Sequence, residues 1–146
     1  MIQRIQTIWL LLAALAAFAL FYTDVYRAEF AAGGSMPVLK HLRVAEHYPS
    51  LLVAVVVVLI PLAAIFLFKN RKRQRSLAWG GVLATLGFIS VNLMRIGNFN
   101  NQIPQPVNGA YQAGSVLPVV VLIFLILAIR GINRDEKLVR SLDRLR

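Results

Sequence analysis

The sequence contains no cysteine, only two histidines and only six acidic residues among its 146 residues. The missing cysteine excludes disulfides, thiolate metal sites and cysteine nucleophiles, so redox chemistry gives no indication of the compartment. Charged residues make up 15% of the chain and apolar residues 58%, against about 25% and 45–50% in typical soluble proteins. A soluble domain this small could not hide so much apolar surface from water. The composition therefore predicts a membrane protein.

Four long stretches contain no Asp, Glu, Lys, Arg or His. A helix needs about 20 mostly apolar residues to cross a bilayer core, with about 17–25 tolerated. The stretches predict an all-α membrane protein, a single domain with four transmembrane helices at residues 5–23, 50–68, 76–94 and 112–129. The first could instead be a cleaved signal peptide, but its apolar part exceeds the usual length of about 7–15 residues. We therefore expect it to be retained.

The basic residues are unevenly divided between the predicted sides of the membrane. With both termini in the cytoplasm, twelve of the sixteen Lys and Arg residues lie inside and four outside. The positive-inside rule favours this orientation. The net charge of +10 could indicate nucleic acid in a soluble protein, but here the excess lies at 69–75 and in the tail 130–146. We expect these charges to contact anionic lipid head groups, or a partner, through Arg71, Lys72, Arg73, Arg140 and Arg144.

The first outer loop is long enough to carry structure of its own. Apolar Tyr26, Ala28 and Phe30 alternate with charged residues, a weak strand pattern, and Gly33–Ser35 predicts a turn. After Pro37 the apolar residues have helical spacing, which predicts a short amphipathic helix leading into the second span.

The second outer loop and the tail give different patterns. Two prolines and Asn108-Gly109 argue against regular structure in the loop, which is either solvated or an interaction surface. Asn133 and Glu136 form a capping-box pattern, which predicts a separate amphipathic cytoplasmic helix in the tail. Its apolar stripe is expected to lie in the lipid interface or to dock on a partner helix.

Small residues at four-residue spacing predict where helices pack closely, because small side chains let backbones approach in lipid. The amide of Asn92, inside the third span, must also find a partner, most simply across a helix interface. The predicted packing residues are Ala13, Ala17, Gly80, Ala84, Gly87 and Asn92.

No catalytic, cofactor or metal site is predicted. His41 and His47 are six residues apart and would lie on different faces of a helix, a poor arrangement for a shared metal ion. The serines and threonines inside the spans have no histidine in the same span to activate them. Arg95, at a span boundary, is the only ionisable residue near the interior of any span, which argues against a proton or ion pathway.

The two ends of the chain resemble a known family. Residues Met1–Ala14 (MIQRIQTIWLLLAA) and Arg134–Arg146 (RDEKLVRSLDRLR) are similar to those of a bacterial family of small four-helix membrane proteins of unknown function. The resemblance implies a bacterial inner-membrane location and four spans. It implies no activity and transfers no functional residue.

Two functions are compatible with these features. The first is a non-catalytic accessory subunit, or an assembly or scaffold factor, of a larger inner-membrane complex, with other membrane protein subunits as partners. The second is a small channel, carrier or lipid-handling protein acting as an oligomer, in which Pro61, Asn92 and the polar second outer loop would form a path.

The predicted orientation can be tested with single cysteines, since the natural chain has none. A membrane-impermeant maleimide should label Gln105→Cys in intact cells. It should label Asn70→Cys and Ser141→Cys only after permeabilisation. Labelling of position 141 in intact cells would mean that the orientation is inverted.

Overall fold

The computed structural model describes residues 2–30, 38–68, 70–101 and 106–143, with side chains described over 5–30, 38–68, 70–101 and 106–137. In these ranges the chain is mostly helical. Its four α-helices are α1 (Ile2–Ala19), α2 (Tyr48–Phe66), α3 (Arg71–Asn100) and α4 (Ala113–Asp143). Helices α2, α3 and α4 are long and apolar enough to cross a membrane, whereas the apolar part of α1, Ile5–Ala19, is shorter.

The helices form a bundle in which α1 packs against α2 and α4, and α3 packs against the same two helices. The contact of α1 with α4 rests on residues spaced three or four apart, which places them on one face of each helix. These fully buried residues are Leu10, Ala13 and Ala17 in α1 with Leu20 just after it, and Val121, Leu125, Ala128 and Ile132 in α4. The small alanines bring the two backbones close together.

The outer faces of the bundle are apolar as well. Leu52, Leu83 and Met94 have 67%, 69% and 72% of their surface exposed. A helix in a soluble bundle carries polar residues on the face opposite its core, but these helices carry leucine, valine and phenylalanine there. Such a surface is stable in lipid and would associate in water. The bundle therefore has the surface of a membrane protein.

A small antiparallel sheet covers one end of the bundle, so the prediction of a strictly all-α fold is wrong. Its strands are β1 (Asp24–Phe30), β2 (Val38–Arg43) and β3 (Asn108–Tyr111), in the order β2-β1-β3. The predicted strand pattern around Tyr26 is confirmed by β1, whose residues alternate between buried and partly exposed. The predicted turn at Gly33–Ser35 lies outside the described residues.

The predicted amphipathic helix after Pro37 is also wrong. Residues Val38–Arg43 pair with β1, and a single 3₁₀ turn, Val44–Glu46, follows them. The apolar spacing there covers only two helical turns, too few for a stable helix without tertiary packing. Strand β1 offers a row of backbone hydrogen bonds to the same residues. They therefore form a strand beside β1, although the spacing of their apolar side chains is helical.

The second outer loop contributes a strand where none was predicted. Asn108–Tyr111 pairs with β1 in the register Tyr26↔Tyr111 and Glu29↔Asn108. Gly109 allows this approach, because a Cβ at that position would collide with the hydroxyl end of Tyr26. The glycine that suggested a turn thus provides room for an aromatic side chain across the sheet.

The sheet is fixed to the bundle through α3. The ring of Phe99, in the last turn of α3, lies 6.4 Å from Tyr26 and 5.4 Å from Phe30, both edge to face. Both of these β1 residues are buried. The connections α1–α2 and α3–α4 therefore meet at the same end of the bundle, and the short α2–α3 connection lies at the other end.

The tail is not a separate capped helix. Helix α4 runs without a break from Ala113 to Asp143, and Asn133 lies inside it. Its side chain accepts a hydrogen bond from Arg75 Nη1 at 3.2 Å instead of capping a helix. The apolar stripe predicted after Lys137 lies beyond the described side chains.

Buried carboxamides link neighbouring helices at the end opposite the sheet. Gln6 Nε2, in α1, donates to the carbonyl of Gly131 in α4 at 3.1 Å, and Gln74 Nε2, in α3, donates to that of Ala64 in α2 at 3.0 Å. Both glutamines are almost fully buried. In an apolar environment a neutral amide costs far less to bury than a charge, provided that it is hydrogen-bonded.

The approach of α4 to β1 predicts the effect of one substitution. A Cβ at Gly114 would lie 2.6 Å from the carbonyl oxygen of Asp24, which is backbone and cannot move aside cheaply. Gly114→Ala should therefore destabilise the fold by about 1–3 kcal/mol and lower the thermal midpoint in detergent. The control is Gly87→Ala, because no atom lies within 4 Å of the new Cβ and alanine favours a helix. Equal midpoints for the two variants would contradict the packing.

Candidate functional site

Asp24 organises the polar surface of the sheet. Its Oδ1 accepts from Arg43 Nε at 2.9 Å and its Oδ2 from His41 Nδ1 at 2.7 Å, while Arg27 Nη2 lies 4.0 Å away. The hydrogen bond from Arg43 is the main cause that lowers the pKa of the Asp24 carboxyl group, and His41 adds to it. The carboxylate therefore joins β1 to β2 and compensates the positive charge of Arg43.

A cavity of about 560 Å³ opens beside this cluster, between β2, the 3₁₀ turn and the end of α3. We call it the outer polar cavity. Half of its lining residues are cationic or carry an imidazole, and the others include one acid and one aromatic ring. The lining residues are Lys40, His41, Leu42, Glu46, His47, Arg95, Asn98 and Phe99. Sequence reasoning treated Arg95 and the histidines separately, because nothing in their spacing indicates that β2 turns back onto α3.

Arg95 lies at the inner edge of the outer polar cavity. Its Nη1 donates to the backbone carbonyl of Arg43 at 2.7 Å, which ties the end of β2 to α3. A guanidinium group has five N–H donors, and this is the one hydrogen bond it makes within the described part of the chain. The remaining donors are available to a ligand.

His47 caps the start of α2 and links it to α3. Its Nδ1 accepts from the Ser50 backbone N–H at 3.3 Å and lies 2.9 Å from the Ser50 hydroxyl. That hydroxyl also lies 3.4 Å from Asn92 Oδ1, and Asn92 Nδ2 donates to the Phe88 carbonyl at 2.8 Å. Burial lowers the pKa of His47, and Arg95 lowers it further. A neutral imidazole, which can accept hydrogen bonds, is therefore favoured at this cap.

The imidazole–hydroxyl pair was not found from the sequence, although a histidine three residues before a serine at a helix start could have indicated a cap. A base beside a hydroxyl is the first requirement of a serine nucleophile. Ser50, however, is completely buried, and its hydroxyl is enclosed between His47 and Asn92. The pair joins α2 to α3; His47 lines the outer polar cavity, but Ser50 does not.

The opposite end of the bundle holds a second charged cluster. Arg75 Nη1 lies 2.7 Å from Glu136 Oε2, and Arg71 Nη1 lies 3.5 Å from Asp135 Oδ2. Asp135 is almost fully buried. Arg71, predicted to contact lipid, is thus paired within the bundle, whereas the side chains of Lys72 and Arg73 are exposed.

The other two predicted surface cations lie outside the described side chains. Helix α4 includes Arg140, but its side chain lies outside the described ones, and Arg144 lies outside the described residues. Exposed cations that α4 does present are Arg130, Arg134 and Lys137.

The predicted packing residues divide into two groups. Ala13, Ala17 and Asn92 are buried between helices, and Ala84 is partly buried against the core. Gly80 and Gly87 have open space where a Cβ would lie, so they do not pack within this bundle. The close approach is made instead by Gly81, whose missing Cβ would lie 3.1 Å from Ile60 in α2 and 3.3 Å from Leu125 in α4. The helix turns Gly81 inward and leaves Gly80 and Gly87 facing open space.

A family described as a domain of unknown function (DUF4293) matches residues 2–145 of the sequence. The chain belongs to this family. No curated protein matches the sequence.

Two further features of this DUF4293 chain concern metal ions and apolar ligands. Over the described residues, no group of three or more His, Asp and Glu side chains could hold a metal ion. A crevice of about 250 Å³ between α3 and α4, below the sheet, is lined mainly by apolar residues, with the polar Asn92 and Ser115 among them. The Asn92 amide is already hydrogen-bonded to Phe88 and the Ser115 hydroxyl to Gln112, so the crevice suits an apolar group.

The cap at His47 predicts how the stability of the DUF4293 fold depends on pH. The unfolded imidazole takes up a proton near its usual pKa of about 6.5, whereas the folded one resists protonation to lower pH. The stability gained from the neutral cap is present above pH 6.5 and decreases as the pH falls below it. We expect the thermal midpoint in detergent to fall as the pH is lowered from about 7.5 to 5.5.

Asparagine also caps helices but does not titrate, so His47→Asn should reduce this pH dependence. Lys72→Gln, an exposed cation at the other end, should keep the dependence of the natural chain. A His47→Asn variant with an unchanged pH profile would contradict the role of the imidazole.

Proposed function

We propose that the protein is a four-span membrane protein of the bacterial inner membrane, with both termini in the cytoplasm. In this proposal it acts without catalysis, as an accessory subunit or an assembly or scaffold factor of a larger membrane complex. The observation that carries the proposal is the sheet, whose two outer strand edges pair with no other described strand. It lies at the outer end of a bundle whose other surfaces suit lipid.

The pairing of β1 with β3 supports four spans. Strand β1 follows α1 and β3 precedes α4, so the two connections must lie on the same side of the membrane to pair. The two strands are separated by α2 and α3, each of which is long enough to cross the membrane. Two crossings return the chain to the side of the membrane from which it started. Arg43, Arg95 and the other outer cations then lie on the side with few positive charges, in accord with the positive-inside rule.

The length of α1 supports a span as well. Its apolar part, Ile5–Ala19, is continued by three turn hydrogen bonds of the 3₁₀ type, from the N–H groups of Leu20, Phe21 and Tyr22 to the carbonyls three residues before. At about 1.5 Å per residue for the α-helix and 2.0 Å for the 3₁₀ turn, this segment rises about 28 Å. A bilayer core is about 30 Å thick.

The interior of the bundle favours a role in contact over a role in transport. The buried polar side chains Gln6, Gln74 and Thr85 all donate to backbone carbonyls, and Asn92 does the same. None of these groups is ionisable. A proton or ion pathway normally contains ionisable groups inside the membrane. Here Gln6 and Gln74 link neighbouring helices instead. The bonds donated by Thr85 and Asn92 lie within α3, and Asn92 also accepts from Ser50 in α2.

The sheet provides a surface for a partner protein. Strands β2 and β3 form its two edges, and an open edge pairs readily with a strand of another chain. Leu39 and Tyr111 on these edges have 50% and 62% of their surface exposed. At the cytoplasmic end, the exposed Lys72, Arg73 and Arg130 suit anionic lipid head groups.

Photocrosslinking tests the proposed contact. A benzoylphenylalanine at Leu39 or Tyr111 should give an adduct with a discrete membrane protein after illumination of intact cells. The same amino acid at Leu83, which is 69% exposed in the middle of α3, should give no protein adduct because it faces lipid. Absence of any protein adduct from both edge positions would contradict a role as an accessory subunit.

A further inference from the structure

Arg95 and Lys40, the two cations that line the outer polar cavity, differ from the nearby Arg27 and Arg43 in their charge partners. Arg27 and Arg43 are drawn to Asp24. Arg95 and Lys40 form no ion pair with any described carboxylate; Lys40 Nζ lies instead over the ring of Phe30, 5.0 Å from its centroid. Glu46 also lines the cavity and interacts electrostatically with Arg95, although the two described side chains form no ion pair. The two cations outnumber this one carboxylate, so the outer polar cavity has an excess of positive charge.

The cavity also presents groups that can donate hydrogen bonds. Arg95 is held in place through its bond to the Arg43 carbonyl, so the rest of its guanidinium group is oriented before a ligand arrives. His47 accepts the Ser50 backbone N–H at Nδ1, so its neutral ring carries the proton on Nε2 and can donate it to a ligand. A fixed guanidinium and an ammonium group are typical of sites that bind phosphate, and this imidazole N–H adds a further donor.

The shape of the cavity favours a phosphate that carries an organic group. Its volume of about 560 Å³ is at the scale of sites for small organic ligands, which span about 300–1,000 Å³. Leu42 and Phe99 line it beside the cations and provide apolar contact for the remainder of a ligand. The cavity lies where α3 ends at the sheet, close to the level at which lipid head groups would lie.

We propose that the outer polar cavity binds a phosphate ester, with Arg95 and Lys40 as the principal contacts. The phosphate oxygens accept from the free N–H groups of Arg95 and from the Lys40 ammonium, and the organic group lies against Phe99. A glycerophosphate group can reach the cavity either as the head group of an anionic lipid or as a soluble ester. The inference rests on the cavity alone and does not require the proposed partner contact.

The histidines provide a local probe, because the chain has only two and both line the cavity. Selective ¹⁵N labelling of histidine therefore reports binding at this site and not at the basic cytoplasmic end. Spectra would be recorded on the full chain in phosphatidylcholine nanodiscs, with phosphatidylglycerol added in one series and soluble glycerol 3-phosphate in another. A pH of about 8.5, well above the usual histidine range, keeps the changes from reporting protonation.

We expect saturable shifts of both histidine signals in at least one series. Arg95→Gln keeps a donor for the Arg43 carbonyl but removes the charge, and should weaken the apparent affinity about tenfold. Lys40→Gln, at an exposed position, should weaken it several-fold and serves if the Arg95 variant fails to fold. Arg73→Gln, at the opposite end of the bundle, should leave the titration unchanged.

The two series distinguish the sources of the phosphate. Shifts with phosphatidylglycerol alone identify a lipid site, and shifts with glycerol 3-phosphate identify a site for a soluble ester. The proposal is overturned if neither compound shifts the histidine signals, or if folded Arg95→Gln and Lys40→Gln both bind as tightly as the natural chain. Failure of the photocrosslinking experiment would not affect this result.

Discussion

The backbone pairing of β1 with both β2 and β3 is the interaction on which the architecture of the outer end depends. It joins a strand that follows α1 to one that precedes α4, although most of the chain lies between them. The pairing satisfies the backbone polar groups of two loops that would otherwise need solvent. It also brings β2 against α3, and this contact creates the outer polar cavity. Without the sheet, Arg95 and the two histidines would have no common surface.

The distribution of polar groups follows from the cost of burying charge. Ions are kept at the two ends, where each cluster contains carboxylates that offset part of its positive charge: Asp24 at one end, Asp135 and Glu136 at the other. Between them the helices use carboxamides and hydroxyls bonded to carbonyls. An amide hydrogen bond in a low-dielectric interior gives direction to helix contacts without the desolvation penalty of an ion pair. The bundle is therefore specified by a few neutral hydrogen bonds and by small residues such as Ala13 and Gly81.

Much of this structure could be predicted from the sequence, and the failures have a common cause. Helix positions follow from long apolar runs, and β1 from its alternation, because these patterns are local. Strands β2 and β3 could not be predicted, since each forms only because β1 lies beside it. The same holds for the cavity and for the His47–Ser50–Asn92 link, which join residues distant in sequence. Gly80 and Gly87 were chosen by spacing alone, but the rotation of α3 that turns Gly81 inward depends on Ile60 and Leu125 in other helices.

The hydrogen bond between Gln6 and the carbonyl of Gly131 spans 125 residues of sequence. The ribosome makes the carbonyl partner of Gln6 only when it reaches α4. Until then the Gln6 amide lacks this acceptor, and the alanine face of α1 can pack against α2 but not yet against α4. Helix α1 is therefore made before α2 and α3 but completes its packing only after α4 has been synthesised. The order of synthesis and the order of packing consequently differ for this helix.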